Sequence, residues 1–204
     1  MIKQQSKLFI VISGNIGSGK TTLCQKLHEE YGWELLKEEI INYLYIKDFY
    51  ADMKRWSFHN QIQFIIHKFQ QQASMKNKSS LFCQDISAYE CYEIFSRKLF
   101  EDSLMNDRDF RCLTDLYNLM AASLPSPDLL VYLRTSTEIL QERIINRGRE
   151  FERSISLSYL TDLEKRYAIW IQSITFCPVI TIDTGLIDTV SASQKVYQAA
   201  INLL

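Results

Sequence analysis

The sequence predicts a three-layer α/β fold: a parallel sheet of about five strands between two layers of helices. Two observations predict it. Apolar runs of strand length alternate along the chain with long segments of helical periodicity. Three of the runs are almost continuously apolar, as expected for parallel strands that are buried on both faces. This alternation is typical of right-handed β-α-β units, whose ligands bind beyond the carboxyl ends of the strands.

The strands are predicted first, because the apolar runs define them most sharply. They are Leu8–Ser13, Glu34–Glu38, Leu81–Asp85, Leu129–Leu133 and Val179–Asp183. The helices between and after them are Lys20–Tyr31, Lys54–Met75, Ser87–Leu104, Phe110–Ser123, Thr137–Asn146, Ser158–Thr175 and Asp188–Leu203. Gly32 is expected to end the first helix in a left-handed conformation. Pro125 and Pro127 are expected to end the helix that precedes the fourth strand.

Length and composition set limits on the function. At 204 residues, the chain is expected to form a single domain over 1–204. A formal net charge of −1 argues against binding of a nucleic acid polymer or an anionic membrane. No apolar run is long enough for a signal peptide core or a membrane span. The five cysteines form no C-x-x-C pair, so we interpret them as reduced thiols of a cytoplasmic protein.

The strongest motif follows the first strand. The residues after it are Gly14, Asn15, Ile16, Gly17, Ser18, Gly19, Lys20, Thr21 and Thr22, and a helix is predicted next. This is the P-loop pattern G-x-x-x-x-G-K-[ST] in its required strand–loop–helix context. The glycines let backbone N–H groups approach phosphate oxygens, and the helix N-terminus adds partial positive charge. We expect Lys20 to contact the β- and γ-phosphates of ATP and Thr21 to bind Mg²⁺.

Carboxylates end two of the other strands. Asp85 stands where a second acidic group could face the magnesium ion; as an alternative it could cap the helix that begins near Ser87. Glu38 and Glu39 follow the second strand. A carboxylate there could accept the proton of an attacking hydroxyl, although two adjacent glutamates at a strand end are more often a solvated edge.

Two further segments have both a functional and a structural interpretation. Arg143 and Arg147 lie one helical turn apart, and Gly148 ends their helix before Arg149. Such a cluster can close over a triphosphate as a lid, over about 143–155, or form a solvated basic face. The aromatic and amide-bearing segment 50–61, with Phe95, could stack on a base and bind its edge, or it could be ordinary core.

Over almost the whole chain, these motifs resemble the deoxynucleoside kinase family, which has the P-loop kinase fold. The P-loop reads GNIGSGKT, as in the family. The resemblance implies that Glu38 is the general base for the 5′-hydroxyl and that Arg143, Arg147 and Arg149 belong to the lid. It also implies a substrate site and one contact with adenine after the last strand. The substrate residues are Tyr50 and Glu152 at the sugar 3′-hydroxyl, Gln61 and Phe95 at the base, and Asp85; the adenine contact is near Asp183 and Thr184.

One position departs from the family pattern. Ile86 follows Asp85 where the family carries an arginine near the acceptor oxygen, so a charge that stabilises the transition state is missing. Arg55 or Arg97 could supply it. Lys68 and Cys91 replace residues that select the base in the family, which leaves the base preference open.

The resulting hypothesis is ATP-dependent phosphorylation of a deoxynucleoside 5′-hydroxyl with ATP and Mg²⁺. Two alternatives remain open: a non-catalytic nucleotide-binding scaffold and a kinase that acts on another hydroxyl-bearing metabolite. The resemblance also implies a homodimer, with the helix Ser87–Leu104 among the pairing helices because its apolar residues exceed one face.

Overall fold

A computed structural model describes residues 7–37, 43–75 and 80–204 of the chain. Its centre is a parallel sheet of five strands in the order β2-β3-β1-β4-β5. The strands are β1 (Leu8–Gly14), β2 (Glu34–Leu36), β3 (Leu81–Asp85), β4 (Leu129–Arg134) and β5 (Val179–Asp183). The predicted fold class is confirmed.

The central strand β1 is buried along its whole length because it pairs with β3 on one side and β4 on the other. Ile12 is opposite Asp85, and Gly14 is opposite Leu133. The order changes direction at β1: the chain goes from β1 outward to β2 on one side and later to β4 on the other. Ligands of open α/β sheets bind at such a point, which is where the P-loop leaves β1.

Nine α-helices lie in the described part of the chain. They are α1 (Lys20–Tyr31), α2 (Ile46–Ala51), α3 (Met53–Ser74), α4 (Ala88–Glu90), α5 (Arg97–Glu101), α6 (Asp107–Ala121), α7 (Thr137–Arg147), α8 (Leu157–Ser173) and α9 (Thr189–Ile201). A π-helical segment, Cys91–Ser96, joins α4 to α5. A 3-10 turn, Glu150–Glu152, follows α7.

The two faces of the sheet pack against different helices, because successive side chains of a strand point to opposite faces. Ile10 and Ile12 of β1 pack with α1 and α9, in a cluster that includes Leu27 and Val196. On the other face, Leu130 and Tyr132 of β4 pack with α8 and with Ile94. The result is three layers around a core that runs on both sides of β1.

The structure corrects several predicted boundaries. Helix α6 begins at Asp107, three residues before the predicted Phe110, because the side chain of Asn106 caps it by accepting a hydrogen bond from the Asp109 N–H. Strand β2 ends at Leu36, so it is shorter than the predicted Glu34–Glu38. The six-residue helix α2 was not predicted, since it is too short to show a helical period.

Gly32 ends α1 in a left-handed conformation with φ of 68°, as predicted. Within the residues that the structure covers, no helix combines the length and the apolar character needed to cross a bilayer.

Candidate active site

The P-loop joins β1 to α1 and needs glycine at two points for steric reasons. Gly14 has φ of 144°, and a Cβ atom there would lie 2.5 Å from the carbonyl oxygen of Leu133. Gly17 has φ of 83°, and a Cβ atom would lie 2.8 Å from the carbonyl oxygen of Leu140 in α7. Both conformations are strained for residues with side chains. The loop is therefore closely packed against β4 and α7.

The Lys20 side chain crosses the loop from the first residue of α1. Its Nζ atom donates to the carbonyl oxygens of Gly14, at 2.6 Å, and Asn15, at 2.9 Å. This places a positive charge at the amino end of a helix, where the helix dipole also favours an anion. The arrangement fits the predicted contact with the β- and γ-phosphates.

A cavity of about 760 Å³ opens on this side of the loop, within the size range of small-molecule sites. We call it the donor cavity. It is lined by the loop residues from Gly17 to Thr22, by α7 and by the segment after β5. Among its lining residues are Ser18, Gly19, Arg143, Arg147, Arg149 and Thr184. All three predicted lid arginines therefore border the donor cavity.

Thr21 and Asp85 meet at the carboxyl end of the sheet. The Thr21 hydroxyl donates to Oδ2 of Asp85 over 2.5 Å, and Asp85 is only 2% exposed. The helix cap that was the alternative for Asp85 is provided by Ser87, whose hydroxyl accepts from the Glu90 N–H. One hydroxyl and one carboxylate are hard oxygen ligands that suit Mg²⁺, which usually keeps several water or phosphate ligands. In the described ranges no group of three or more His, Cys, Asp or Glu residues could hold a metal. The pair therefore fits a nucleotide-bound Mg²⁺ better than a metal held by the protein alone.

A second cavity, the acceptor cavity, lies beyond Asp85 and shares Lys20, Thr21, Arg147 and Arg149 with the donor side. Every predicted substrate residue within the described ranges lines it: Tyr50, Gln61, Asp85, Phe95 and Glu152. The structure thus brings together side chains from α2, α3, β3, the π-helical segment and the 3-10 turn. The shared residues show that the two cavities adjoin each other at the P-loop.

Gln61 is held in a defined orientation at this cavity. It is buried, and its Oε1 atom accepts a hydrogen bond from the Ser96 hydroxyl at 3.1 Å. The same hydroxyl lies 2.9 Å from the Cys91 carbonyl oxygen, within the π-helical turn. Such turns often occur at functional sites. Here the turn places both Cys91 and Phe95 at the acceptor cavity.

The lid arginines have partners on the protein. Glu152 is 2% exposed, and its carboxylate accepts from Arg147 at 2.5 Å and from Arg149 at 3.1 Å. Arg143 donates instead to the carbonyl oxygen of Thr184 at 2.8 Å. Gly148 ends α7 with φ of 71°, as predicted. These contacts hold the lid against the segment after β5 and over the acceptor cavity.

Several sequence predictions lie away from the cavities. Asp183 lines neither cavity; its carboxylate lies 3.4 Å from Arg134 and accepts from the Gly185 N–H, whereas Thr184 next to it lines the donor cavity. Asn15 is fully buried, and its amide donates to the Leu160 carbonyl oxygen at 2.9 Å. Its role is to fix the loop. Glu38 and Glu39 lie outside the described residues.

Ile86 has an unusual conformation: its φ is 59°, in the left-handed region that β-branched residues rarely adopt. It is buried and lines the acceptor cavity. Arg55 and Arg97, which could have supplied the missing charge, do not line this cavity. Arg97 pairs with Glu93 at 2.7 Å, and Arg55 lies over the ring of Trp56. The guanidinium groups that line this cavity are those of Arg147 and Arg149.

Sequence reasoning missed other residues of the acceptor cavity. Ile46 and Phe49 come from the unpredicted helix α2, and Phe64 from α3; Asn60, also on α3, belongs to the segment 50–61 already named as a candidate for binding the base edge. Asn60 is 1% exposed, and within the described structure its Oδ1 atom has no hydrogen-bond partner. An amide next to Gln61 was the available signal, but only the packing of α2 on α3 shows that it borders the cavity.

Comparison with known proteins identifies the family. The deoxynucleoside kinase family model matches residues 10–203. The chain is 35% identical over 175 residues to the deoxyadenosine/deoxycytidine kinase of Bacillus subtilis (strain 168), an alignment that covers 85% of this chain and 81% of the relative. It is 37% identical over 175 residues to the deoxyadenosine kinase of Dictyostelium discoideum, covering 85% and 71%.

Comparison with solved structures identifies the same family. The deoxyadenosine kinase of M. mycoides with bound dATP superposes with a TM-score of 0.82 at 27% identity, covering 96% of this chain and 99% of that one. The same enzyme with products dCMP and dCDP gives a TM-score of 0.83 at 25% identity, covering 97% and 100%. The expected activity, ATP-dependent phosphorylation of a deoxynucleoside, is confirmed at this level, and the chain belongs to the deoxynucleoside kinase family.

Proposed function

We propose that this kinase transfers the γ-phosphoryl group of ATP·Mg²⁺ to the 5′-hydroxyl of deoxyadenosine or deoxycytidine. The observation that carries the base preference is the oriented Gln61 amide in an acceptor cavity whose base end holds no carboxylate among its described lining residues. Two of the relatives compared above are named as kinases of these nucleosides.

On the donor side, the roles follow from position. Lys20 binds the β- and γ-phosphates, and the N–H groups of the P-loop surround their oxygens. Arg143, Arg147 and Arg149 border the same cavity and stabilise the charge that develops on the transferred group. Thr21 and Asp85 would hold the Mg²⁺ ion, which when bound would neutralise charge on the phosphate oxygens.

On the acceptor side, Glu38 takes the proton of the 5′-hydroxyl as the bond to phosphorus forms. This assignment rests on the sequence. Its support in the structure is that β2 pairs with β3, Leu36 with Gln84, so the chain leaves β2 at the sheet edge where Asp85 lies. Tyr50 and Glu152 both line the cavity, and we assign them to the sugar 3′-hydroxyl.

The base lies farther from the P-loop, between Phe95 and the amide of Gln61. A carboxamide supplies a donor and an acceptor side by side, which matches the amino group and ring nitrogen of adenine or cytosine. Guanine presents two adjacent donors, N1–H and N2–H, which a carboxylate satisfies better. Among the described lining residues, two carry carboxylates, and both have other partners: Asp85 bonds Thr21, and Glu152 bonds the lid arginines.

The test is ATP-dependent phosphorylation of the four natural deoxynucleosides and of the ribonucleosides with Mg²⁺. Deoxyadenosine and deoxycytidine are expected to give the highest kcat/KM, with adenosine and cytidine as matched controls for the sugar. Preferred turnover of deoxyguanosine or thymidine would contradict the base assignment. Removing Mg²⁺ with EDTA is expected to abolish turnover.

We further propose that the protein is a cytoplasmic homodimer. The surface expected to pair differs from the one predicted from sequence. The apolar residues between Ser87 and Leu104 pack against α3, α6 and α8 of the same chain, so they are not available to contact a second copy. Exposed apolar side chains lie instead on α6, at Leu119, and on α8, at Ile169, which are 73% and 71% exposed. Light scattering that gives the 24.0 kDa monomer mass at micromolar concentration would reject the dimer.

A further inference from the structure

A buried carboxyl group lies directly behind the P-loop and takes no part in the chemistry above. Glu90 is the last residue of α4 and is fully buried. It lines neither the donor nor the acceptor cavity. Ionisable side chains are almost never fully buried unless they have partners, so the contacts of Glu90 indicate what it does.

These contacts converge on Gly14, the first residue of the P-loop. Oε1 of Glu90 accepts a hydrogen bond from the Gly14 N–H at 3.1 Å and another from the Tyr167 hydroxyl. The same hydroxyl lies 2.9 Å from the carbonyl oxygen of Gly14. Tyr167 is itself fully buried on α8. Glu90 therefore holds the N–H group of Gly14, and Tyr167 contacts its carbonyl oxygen.

Lys20 shares this network. The Gly14 carbonyl oxygen that faces Tyr167 also accepts from the Lys20 ammonium at 2.6 Å. Lys20 is thus linked to Glu90 through a single residue of the loop. A shift of Gly14 would move the contact that positions the ammonium group, and with it the charge that ATP needs.

The protonation state of Glu90 matters for the same reason. Burial raises its pKa, while the charge of Lys20 and the hydrogen bonds from Tyr167 and Gly14 act in the opposite direction. The other titratable groups close to this network are Tyr132 from β4, Cys91 from the π-helical segment and Glu164 from α8, whose carboxylate accepts a hydrogen bond from the Tyr132 hydroxyl. In its neutral form the Glu90 carboxyl group would hold Gly14 without an ionic attraction to Lys20.

We propose that Glu90 is a positioning residue for ATP binding: together with Tyr167 it fixes the Gly14 peptide, so that the P-loop N–H groups and Lys20 meet the phosphates. An ionised Glu90 would compete with the triphosphate for Lys20. The anchor continues along α8, where the Leu160 carbonyl oxygen and Glu164 accept hydrogen bonds from the Asn15 amide. One helix therefore holds two consecutive residues of the loop.

The test compares Glu90→Ala, Glu90→Gln and Tyr167→Phe with the wild type. Tyr117→Phe serves as the control, because it removes the hydroxyl of a buried tyrosine in the cluster around α6, which does not include the loop. ATP affinity is measured by calorimetry without a nucleoside, and KM is measured separately for ATP and for the deoxynucleoside. Thermal unfolding identifies variants that fail to fold.

We expect Tyr167→Phe to weaken ATP binding by roughly three- to tenfold and Glu90→Ala by about tenfold or more, as for the loss of one or two buried hydrogen bonds. Glu90→Gln keeps the acceptor oxygen and should restore most of the affinity. The KM of the nucleoside should change by less than about twofold. The combined Glu90→Ala, Tyr167→Phe variant should lose less than the product of the single effects, since both act on one peptide.

The pH profile distinguishes positioning from a merely structural role. Wild-type affinity for ATP should fall as pH rises through the raised pKa of Glu90, relative to Glu90→Gln, which cannot ionise. Folded Glu90→Ala and Tyr167→Phe variants that bind ATP like the wild type would overturn the proposal. So would an equal loss of nucleoside affinity, or parallel pH profiles of the wild type and Glu90→Gln.

Discussion

Replacing Gly14 with alanine tests the close packing on which the P-loop depends. The residue has φ of 144°, and an added methyl group would lie 2.5 Å from the Leu133 carbonyl oxygen and 2.8 Å from the Ser18 hydroxyl. Ser18 can rotate away, but the oxygen of Leu133 belongs to β4, which pairs with β1 at this position. The two strands must therefore separate by roughly 1 Å to reach ordinary contact.

The cost has two parts: a strained backbone conformation, about 1–3 kcal/mol, and overpacking against the sheet, about 1–3 kcal/mol. Gly32→Ala is the matched control, because Gly32 also has positive φ, 68°, but a methyl group added there would meet nothing within 4 Å. The control should lose only about 1 kcal/mol. The entropy that alanine removes from the unfolded chain is common to both variants and cancels in the comparison.

We expect the free energy of unfolding of Gly14→Ala to lie about 3 kcal/mol below that of Gly32→Ala, which lowers Tm by roughly 6–12 °C for a chain of this size. Urea unfolding gives the first quantity and calorimetry the second. ATP affinity should fall in Gly14→Ala alone, since Gly14 also contacts Lys20. Equal stability of the two variants, with equal ATP affinity, would refute the steric argument.

Three further predictions concern the reaction and the buried carboxyl group. Glu38→Gln should lower kcat by about a hundredfold or more while ATP affinity, measured by calorimetry, stays unchanged; near-wild-type turnover would remove the base assignment. Ile86→Arg should raise kcat about tenfold or more by returning a positive charge to the acceptor cavity, and an unchanged kcat in steady-state assays would show that Arg147 and Arg149 already suffice. Burial raises the pKa of Glu90, so the folded state keeps a proton that the unfolded state has lost, and the free energy of unfolding should fall as pH rises from the ordinary glutamate value through the raised one. Glu90→Gln should lack this loss when urea unfolding is measured over a pH series that rises from the ordinary glutamate value.

The sequence by itself determined the parts of the site that depend only on residues that follow one another along the chain. The P-loop from Gly14 to Thr22 requires only consecutive residues between a strand and a helix, so its position and its chemistry follow from the motif. Gly148 and Gly32 were predicted as helix ends because a left-handed residue is a local requirement. The parallel sheet followed from the lengths and apolar character of the runs.

Contacts between distant segments were decided only by the tertiary structure. The meeting of Tyr50, Gln61 and Phe95 depends on the packing of α2, α3 and the π-helical segment, and periodicity does not distinguish such aromatics from ordinary core. The pairing of Glu152 with Arg147 and Arg149 depends on the turn after α7.

Glu90 shows the same limit most clearly. In the sequence it is one glutamate in a helical segment, where a charged residue is usually exposed. In the fold it is buried between Gly14 and Tyr167, which are 76 and 77 residues away along the chain. Burial and hydrogen-bond partners are properties of the packed chain, so its position behind the P-loop could be found only after α4 and α8 were placed against the sheet.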